Sequence, residues 1–457
     1  MTWVGATAGS IARAVRRGDT SAGEVVDAHI RHIRAVDHEL GAFQVVRTVP
    51  ALAEAEIVDE LPDLAGLSLA GVPITVSESA AVAGERTRLG SPATTLPVAE
   101  ADHEVVRRLR GAGAVVVGMT RMSELGIFGF TDDDDVITRN PWRMDRTPGG
   151  SAGGAAAAVA AGMVPLAQAT DAFGGIRAAA ACCGLVGLKP GRGIVPTGGS
   201  DWFELSENGV LATTVFDAAL GFAVMAGRRP RPPESPKPLS IAVSLRSPAQ
   251  GVSPDRDCRL ALARVTRLLV DAGHSARRAD PTYPPRMSSA EITHWFAGAY
   301  QEAVRFDRSE LQPRTRRHIA LGEWVASSGL VRTADREQWR DHYLNWLTDH
   351  RFDVMMTPAL AGPPPPAERW SRRGWLANVT ASVRYAPYCA PWNFAGLPAL
   401  VVPAGIRRDG LPVGVQLVGP PGSEELLLGL AAVIEEAAPW HRHAPGWPRL
   451  SRITANI

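Results

Sequence analysis

Apolar and polar positions follow a helical period in the first part of the chain. In "SIARAVRRGDT" and "SAGEVVDAHIRHIRAVDHEL" the apolar residues lie three and four positions apart, which predicts two helices. Ser21 and Glu24 have the spacing of a capping box at the start of the second helix. The apolar run over residues 69–76 predicts a strand, and "EVVRRLRGAGAVVVGMT" predicts a helix, a glycine break and another strand. This alternation indicates an α/β fold.

The alternation continues through the middle of the chain. Residues 149–163 predict a loop that enters an alanine-rich helix, and "MVPLAQATDAFGGIRAA" predicts a strand, a turn and a helix. "GVLATTVFDAALGFAVMAG", residues 209–227, predicts a single amphipathic helix. Residues 285–350 are richer in Trp, Tyr, Arg and Glu and lack strand signals, so we expect a helical insertion there.

Composition narrows the class of protein. The 457 residues carry a formal net charge of +1, which gives no electrostatic reason to expect nucleic acid as a partner. The first residues lack the pattern of a secretion signal, and no apolar run reaches about 18 residues, so we expect a cytoplasmic protein without a membrane span. Four cysteines in so long a chain do not suggest a disulfide framework.

Some residue types limit the chemistry. Lys189 and Lys237 are the only lysines among 48 basic residues, so few amines are available as a base. Four consecutive aspartates at residues 132–135 have the ligand type of a hard cation site. We favour a solvated turn over that alternative, and we predict neither a metal nor a cofactor. Cys182 and Cys183 lie in an apolar segment, where we expect them to pack rather than react.

A series of motifs in order along the chain resembles the amidase signature family. The matching blocks are "GVPITV", "TRNPW", "TPGGSAGG", "TDAFGGIR", "CGLVGLKP", "GVLATTVFDAAL", "APWNFAGLPALVVPAG" and "GLPVGVQLVGPPGSEELLL". The resemblance implies an α/β/α sandwich, with a large mixed twisted central sheet covered by helices on both faces. It also implies a single domain over residues 1–457, with the insertion at about 285–350 facing the substrate. Homodimers are common among such proteins, so a homodimer is an expectation here.

The family hydrolyses or transfers amides with a Ser–Ser–Lys triad. A lysine kept neutral acts through a bridging serine, which follows a cis peptide bond, to activate the nucleophilic serine. Backbone N–H groups of a glycine turn form the oxyanion hole. Carried over by motif, the lysine position is Ser77, followed by Glu78, and the bridging serine is Ser151. The nucleophile position is Gly175.

Two of the three triad residues are therefore absent from the sequence. The catalytic candidates that remain are Ser151, Ser77 and Glu78, of which Glu78 is a possible acid or base if it is desolvated. The turn that corresponds to the oxyanion hole supplies candidate binding residues. These are Asp171, Ala172, Phe173, Gly174 and Gly175. Aromatic residues are candidates for the cleft: Trp295, Phe296, Tyr300, Trp324, Tyr385 and Tyr388.

Loss of an activated nucleophile costs on the order of 10⁶ in kcat in a serine hydrolase. The first hypothesis is therefore a protein that has lost the usual Ser–Ser–Lys hydrolysis and binds a small carbonyl- or amide-containing molecule. Such an enzyme would be repurposed for a cyclisation, condensation or elimination, since positioning alone lowers barriers. Two alternatives stay open. One is an inactive pseudo-amidase that serves as a binding or scaffold protein, and the other is an amide hydrolase with a different catalytic residue.

Overall fold

Eleven strands form one mixed sheet through the centre of the protein in a computed structural model that describes residues 3–198 and 202–449. The strands are β1 (Phe43–Val46), β2 (Pro73–Ser77), β3 (Val115–Thr120), β4 (Leu166–Asp171), β5 (Val186–Lys189), β6 (Glu207–Ala212), β7 (Ser240–Val243), β8 (Ser275–Arg278), β9 (Val354–Pro358), β10 (Ala399–Ile406) and β11 (Pro412–Val418). Their spatial order is β1-β3-β2-β4-β6-β5-β10-β11-β9-β7-β8. The strands β3, β2 and β4 run parallel, as do β9, β7 and β8, and the other neighbours are antiparallel.

Fourteen α-helices occur in the described part of the chain. They are α1 (Ala8–Arg17), α2 (Ala22–Leu40), α3 (Thr48–Asp59), α4 (Glu104–Gly111), α5 (Gly153–Ala160), α6 (Gly175–Cys183), α7 (Val215–Met225), α8 (Arg256–Asp271), α9 (Pro285–Ala303), α10 (Pro313–Ser327), α11 (Thr333–Asp349), α12 (Trp375–Tyr385), α13 (Ala390–Phe394) and α14 (Glu424–Ala437). Every residue of β2, β3, β6 and β11 is buried, so both faces of the sheet are covered there. The predicted mixed sheet covered by helices is confirmed.

The prediction of a single helix over residues 209–227 is wrong for the first part of this range. Residues 207–212 form β6, which pairs with β4 on one side and β5 on the other, and only α7 is helical. A strand buried on both faces carries apolar residues without alternation, so its pattern merges with that of the helix beside it. Thr214 marks the true helix start, because its hydroxyl accepts the N–H of Asp217.

Small residues bring two helices close to the centre of the sheet. All eight residues of α5 are buried, and seven of them are alanine or glycine. The helix α6 begins immediately after β4 and is also buried along its whole length. Since alanine and glycine permit close approach, the loop before α5 and the turn before α6 meet. That meeting point holds the motif residues.

The region predicted as a helical insertion contains α9, α10 and α11. The helix α9 packs extensively against α10 and also contacts α11 and α13. Its inner face turns toward the meeting point of the motifs. Within residues 3–198 and 202–449, no helix combines the length and apolar character required to cross a membrane.

Candidate active site

Ser151 lies in the loop that leads into α5, and the peptide bond between Gly150 and Ser151 is cis. Two hydrogen bonds to neighbouring segments hold the backbone of the loop. The carbonyl of Ser151 accepts the N–H of Ser123 at 3.1 Å and the hydroxyl of Thr131 at 3.3 Å. The side chain of Ser151 borders two cavities, one small and polar and one large and apolar. Its hydroxyl therefore sits on a fixed backbone at an opening.

Gly175 stands beside Ser151 at the first position of α6. A Cβ atom added at residue 175 would lie 2.5 Å from the Ser151 Oγ and 2.5 Å from the Thr170 carbonyl oxygen. Both distances are too short for a real Cβ contact, so this backbone accepts glycine only. The hydroxyl of Ser151 thus lies next to the point from which a side chain at residue 175 would project.

The turn between β4 and α6 carries free backbone donors. The N–H of Gly174 is bonded to Asp171 Oδ1 at 2.7 Å. The N–H groups of Ala172 and Phe173 have no hydrogen-bond acceptor among the described residues. Donors of this kind, next to the dipole of a helix N-terminus, suit the binding of a carbonyl oxygen that gains negative charge.

A buried ion pair holds this turn in place. Arg177 Nε donates to Asp171 Oδ2 at 2.9 Å, and both side chains are inaccessible to solvent. Asn393 on α13 donates to the main-chain oxygen of Asp171 at 2.6 Å, and Arg177 also donates to Gln416 on β11 at 2.8 Å. Burial favours the neutral acid, but the guanidinium of Arg177 outweighs it and lowers the pKa of Asp171 to about 2. The turn is therefore tied to α13 through Asn393 and, by way of Arg177, to β11.

Ser77 does not reach Ser151. The hydroxyl of Ser77, at the end of β2, contacts the sulfur of Met122 at 3.7 Å, and Met122 lines the small polar cavity together with Ser151. The hydroxyl of Ser77 thus contacts Met122 rather than Ser151. The sequence contained no signal for this contact, because Met122 belongs to none of the recognised motifs.

Glu78 is desolvated, as a candidate acid or base requires, but it faces elsewhere. Its Oε1 accepts the N–H of Met122 at 3.0 Å, and burial raises the pKa of Glu78 to about 7. It lines a third cavity, together with Arg88 and Arg121, and that cavity does not include Ser151. In this structure, Glu78 and Ser151 therefore belong to separate openings.

A large apolar cavity opens beside Ser151. Its volume is about 580 Å³, and Phe173 and Gly175 of the turn form part of its wall. The side chains of Phe173 and Trp295 are in contact, with ring centroids 6.2 Å apart. A cavity of this size and character suits a small molecule with an apolar body.

The aromatic candidates divide between the cavity and other positions. Trp295, Phe296 and Tyr385 line the cavity, and Tyr385 donates to the Gly129 carbonyl at 2.7 Å. Tyr388 is buried and donates to the carbonyl of Leu245. Trp324 is 62% exposed on α10 and lies outside the cavity, as does Tyr300. A helical period alone does not tell which face of α9 or α10 turns inward.

Two further expectations concern residues outside the cavity. Asp132 is not in a solvated turn, because it is buried and pairs with the equally buried Arg314 at 2.9 Å. The rest of the acidic run stays near the surface. Cys182 and Cys183 are buried in α6, and burial raises the pKa of both thiols far from the reactive range.

Sequence reasoning missed Glu291, which lines the apolar cavity from α9. It is 8% exposed, and neither carboxyl oxygen has a hydrogen-bond partner in the described part of the chain. The available signal was an acid four residues before Trp295, on the same helix face. That spacing alone is common on solvated helices and did not distinguish this residue.

Comparisons with known proteins place the whole chain in one family. The family model described as Amidase matches residues 24–428. A protein named "Putative amidase AmiB2" from Mycobacterium tuberculosis is 38% identical, over 96% of this chain and 98% of its own length. A solved 6-aminohexanoate cyclic dimer hydrolase superposes with a TM-score of 0.86 at 26% identity, over 97% of this chain and 99% of that one. A bacterial aryl acylamidase reaches 0.81 at 25% identity, over 95% and 96% of the two chains. The chain belongs to the amidase signature family.

The hypothesis of an enzyme repurposed for non-hydrolytic chemistry is wrong. Relatives that cover nearly the whole chain, such as AmiB2, carry the name amidase, and the solved neighbours include a hydrolase and an acylamidase. The alternative of an inactive pseudo-amidase gains no support from these comparisons either. Since residues 77 and 175 are serine and glycine, the remaining alternative is an amide hydrolase that uses a different catalytic residue.

Replacing Gly175 with alanine should destabilise the protein. The added Cβ must displace the hydroxyl of Ser151 or the carbonyl of Thr170, and overpacking of this kind costs about 1–3 kcal/mol. Thermal or urea unfolding measures the loss. Gly66→Ala is the matched control, because a Cβ there meets nothing within 4 Å. Equal stability of the two variants would contradict the close approach of Ser151 and Gly175.

Replacing Asp171 with asparagine should destabilise the protein more strongly. It leaves the buried guanidinium of Arg177 without its counter-charge, which costs about 3–5 kcal/mol. The exposed pair of Arg143 and Asp145 provides the control Asp145→Asn, for which we expect a loss of under about 1 kcal/mol.

The ion pair also predicts a pH dependence of stability. The pKa of Asp171 in the folded protein, about 2, lies below the ordinary value of 3.8. The unfolded state therefore binds the proton more tightly, and the stabilisation is complete above the ordinary value and lost as pH falls toward 2. The unfolding midpoint of the wild type should fall over this range. A D171N variant should lose this component of the acid dependence, and an unchanged acid slope would contradict the assignment.

Proposed function

We propose that this member of the amidase signature family hydrolyses carboxylic amides that have an apolar body, with Ser151 as the attacking group. The observation that carries the proposal is the position of the Ser151 hydroxyl. It lies beside Gly175, at the opening of a cavity of about 580 Å³ and next to a turn with free N–H donors. A nucleophile and an oxyanion site are thus adjacent.

The chemistry needs only groups at this opening and water. The Ser151 oxygen adds to the amide carbonyl, whose oxygen gains negative charge and accepts from the N–H groups of Ala172 and Phe173. The hydroxyl proton passes through water to the amide nitrogen, the C–N bond breaks, and the amine leaves. A second water then cleaves the acyl ester to release the acid and restore the hydroxyl of Ser151.

Turnover by this route should be slow. A positioned general base contributes about 10²–10⁴ in rate, and neither lysine supplies one. Lys189 is buried, with its Nζ donating to the carbonyls of Pro190 at 2.9 Å and Leu397 at 2.7 Å. Lys237 lies exposed in the proline-rich connection before β7. We therefore expect a kcat lower by about that factor than in a family member with the complete triad.

Several finer points belong to the proposal. The apolar cavity supports a small molecule as substrate, and the net charge of +1 offers no reason to invoke nucleic acid. A homodimer in the cytoplasm, acting without a cofactor, fits the family resemblance. Sedimentation of the purified protein tests the dimer directly.

Replacing Ser151 with alanine should abolish hydrolysis. The measurement is release of p-nitroaniline from a panel of apolar acyl-p-nitroanilides, with acyl groups from acetyl to phenylbutyryl, by wild type and variant. We expect activity to rise with acyl size in the wild type, because the cavity wall is aromatic. The rate of p-nitroaniline release by the variant should fall to background, since alanine has no hydroxyl group that could attack the amide.

Ser327→Ala is the control for this substitution, because that serine is exposed on α10 and remote from the cavity. Both variants should unfold at the wild-type temperature or close to it. A wild type that hydrolyses none of the panel would overturn the proposed function. Full activity in the Ser151 variant would be consistent with amide hydrolysis but would contradict the role of Ser151 as the attacking group.

A further inference from the structure

One ionisable side chain in the apolar cavity takes no part in the proposed chemistry. Glu291 projects from α9 into the cavity wall and is 8% exposed. Its Oε1 is fully buried and has no hydrogen-bond partner in the described part of the chain, and neither oxygen takes part in an ion pair there. Burying a carboxyl group without a partner is costly, so a partner supplied from outside would bind favourably.

The rest of the cavity wall is apolar or neutral. Among its described residues, Glu291 is the only one with an ionisable acid or base other than the phenol of Tyr385, which is already bonded to Gly129. Rings of Trp295, Phe296 and Trp375 make up much of the wall around α9. The cavity therefore combines a single carboxyl group with several aromatic faces.

We propose that Glu291 anchors an ammonium group on the substrate, so that the preferred amides carry an amine at the end of an apolar chain. The inference rests on the proposed function in treating this cavity as the place where the substrate binds. A carboxylate and an ammonium form a charge-assisted hydrogen bond, which is about twice as strong as a neutral one. The neighbouring rings add attraction for the same cation through their faces.

The electrostatics of the empty cavity agree with this assignment. Burial raises the pKa of Glu291 to about 8. Without a ligand, the carboxyl is therefore mostly protonated at neutral pH. An ammonium next to it favours the ionised form, so the ligand is bound as a cation while the carboxyl proton is released.

The test uses two small ligands that lack an amide and are not turned over. Isothermal titration calorimetry at neutral pH compares 4-phenylbutylamine with 4-phenylbutan-1-ol, which has the same apolar body and a neutral end. We expect the wild type to bind the amine at least about tenfold more tightly than the alcohol. Glu291→Gln should lose this preference and keep its affinity for the alcohol. Glu323→Gln, on the exposed side of α10, is the control and should keep the preference.

A second variant guards against an effect on folding. Glu291→Leu should bind butylbenzene more tightly than the wild type does, which requires an intact cavity, and should not prefer the amine. Equal affinity of the wild type for amine and alcohol would overturn the anchor. So would an amine preference that survives in Glu291→Gln.

The outcomes separate this inference from the proposed function. An amine preference that depends on Glu291, in a protein that hydrolyses no amide, would support the proposed role of Glu291 and contradict the proposed hydrolase activity. Hydrolysis of neutral apolar amides without any amine preference would support the proposed hydrolase activity and contradict the proposed role of Glu291.

Discussion

The buried pair of Asp171 and Arg177 is the interaction on which the site geometry depends. It joins the end of β4 to the first turn of α6, and through Asn393 and Gln416 it reaches α13 and β11. Two charges without solvent are tolerable only when their remaining donors and acceptors are also satisfied, and here they are. Because the carboxylate of Asp171 fixes the N–H of Gly174, it also sets the direction of the neighbouring free N–H groups. The geometry of the turn is thus a consequence of the ion pair.

A second constraint is steric and concerns residue 175, which has no side chain. The loop of Ser151 and the start of α6 approach so closely that a Cβ on Gly175 would meet both a hydroxyl and a carbonyl oxygen. Glycine at this position is therefore required by the packing around Ser151. The hydroxyl of Ser151 lies at the same opening as this glycine.

The sequence predicted the fold well and the chemistry of the site poorly, for different physical reasons. Helix and strand periods, together with many ordered motifs, were enough for the mixed sheet, and failed mainly at β6, where a strand is buried on both faces. Motif positions also brought Ser151 and the turn of Asp171 together correctly. They could not show that Ser77 contacts Met122, or that Glu78 faces another cavity, because these depend on side-chain directions across the sheet. The motifs show which residues differ from the family pattern. The effect of those differences on the site depends on how the side chains pack.

The charged side chains at the turn and in the cavity wall differ in whether they have a partner. Asp171 and Arg177 at the turn are paired with each other, and the N–H groups of Ala172 and Phe173 beside them have no acceptor among the described residues. Glu291 is the exception, on the wall formed by the helical insertion rather than by the motif blocks. An unpaired carboxyl in an aromatic wall does not help to break an amide bond, but it discriminates strongly between ligands with and without a cation. In this structure the motif segments therefore supply Ser151 and the turn with its N–H donors, whereas α9 supplies the unpaired carboxyl group.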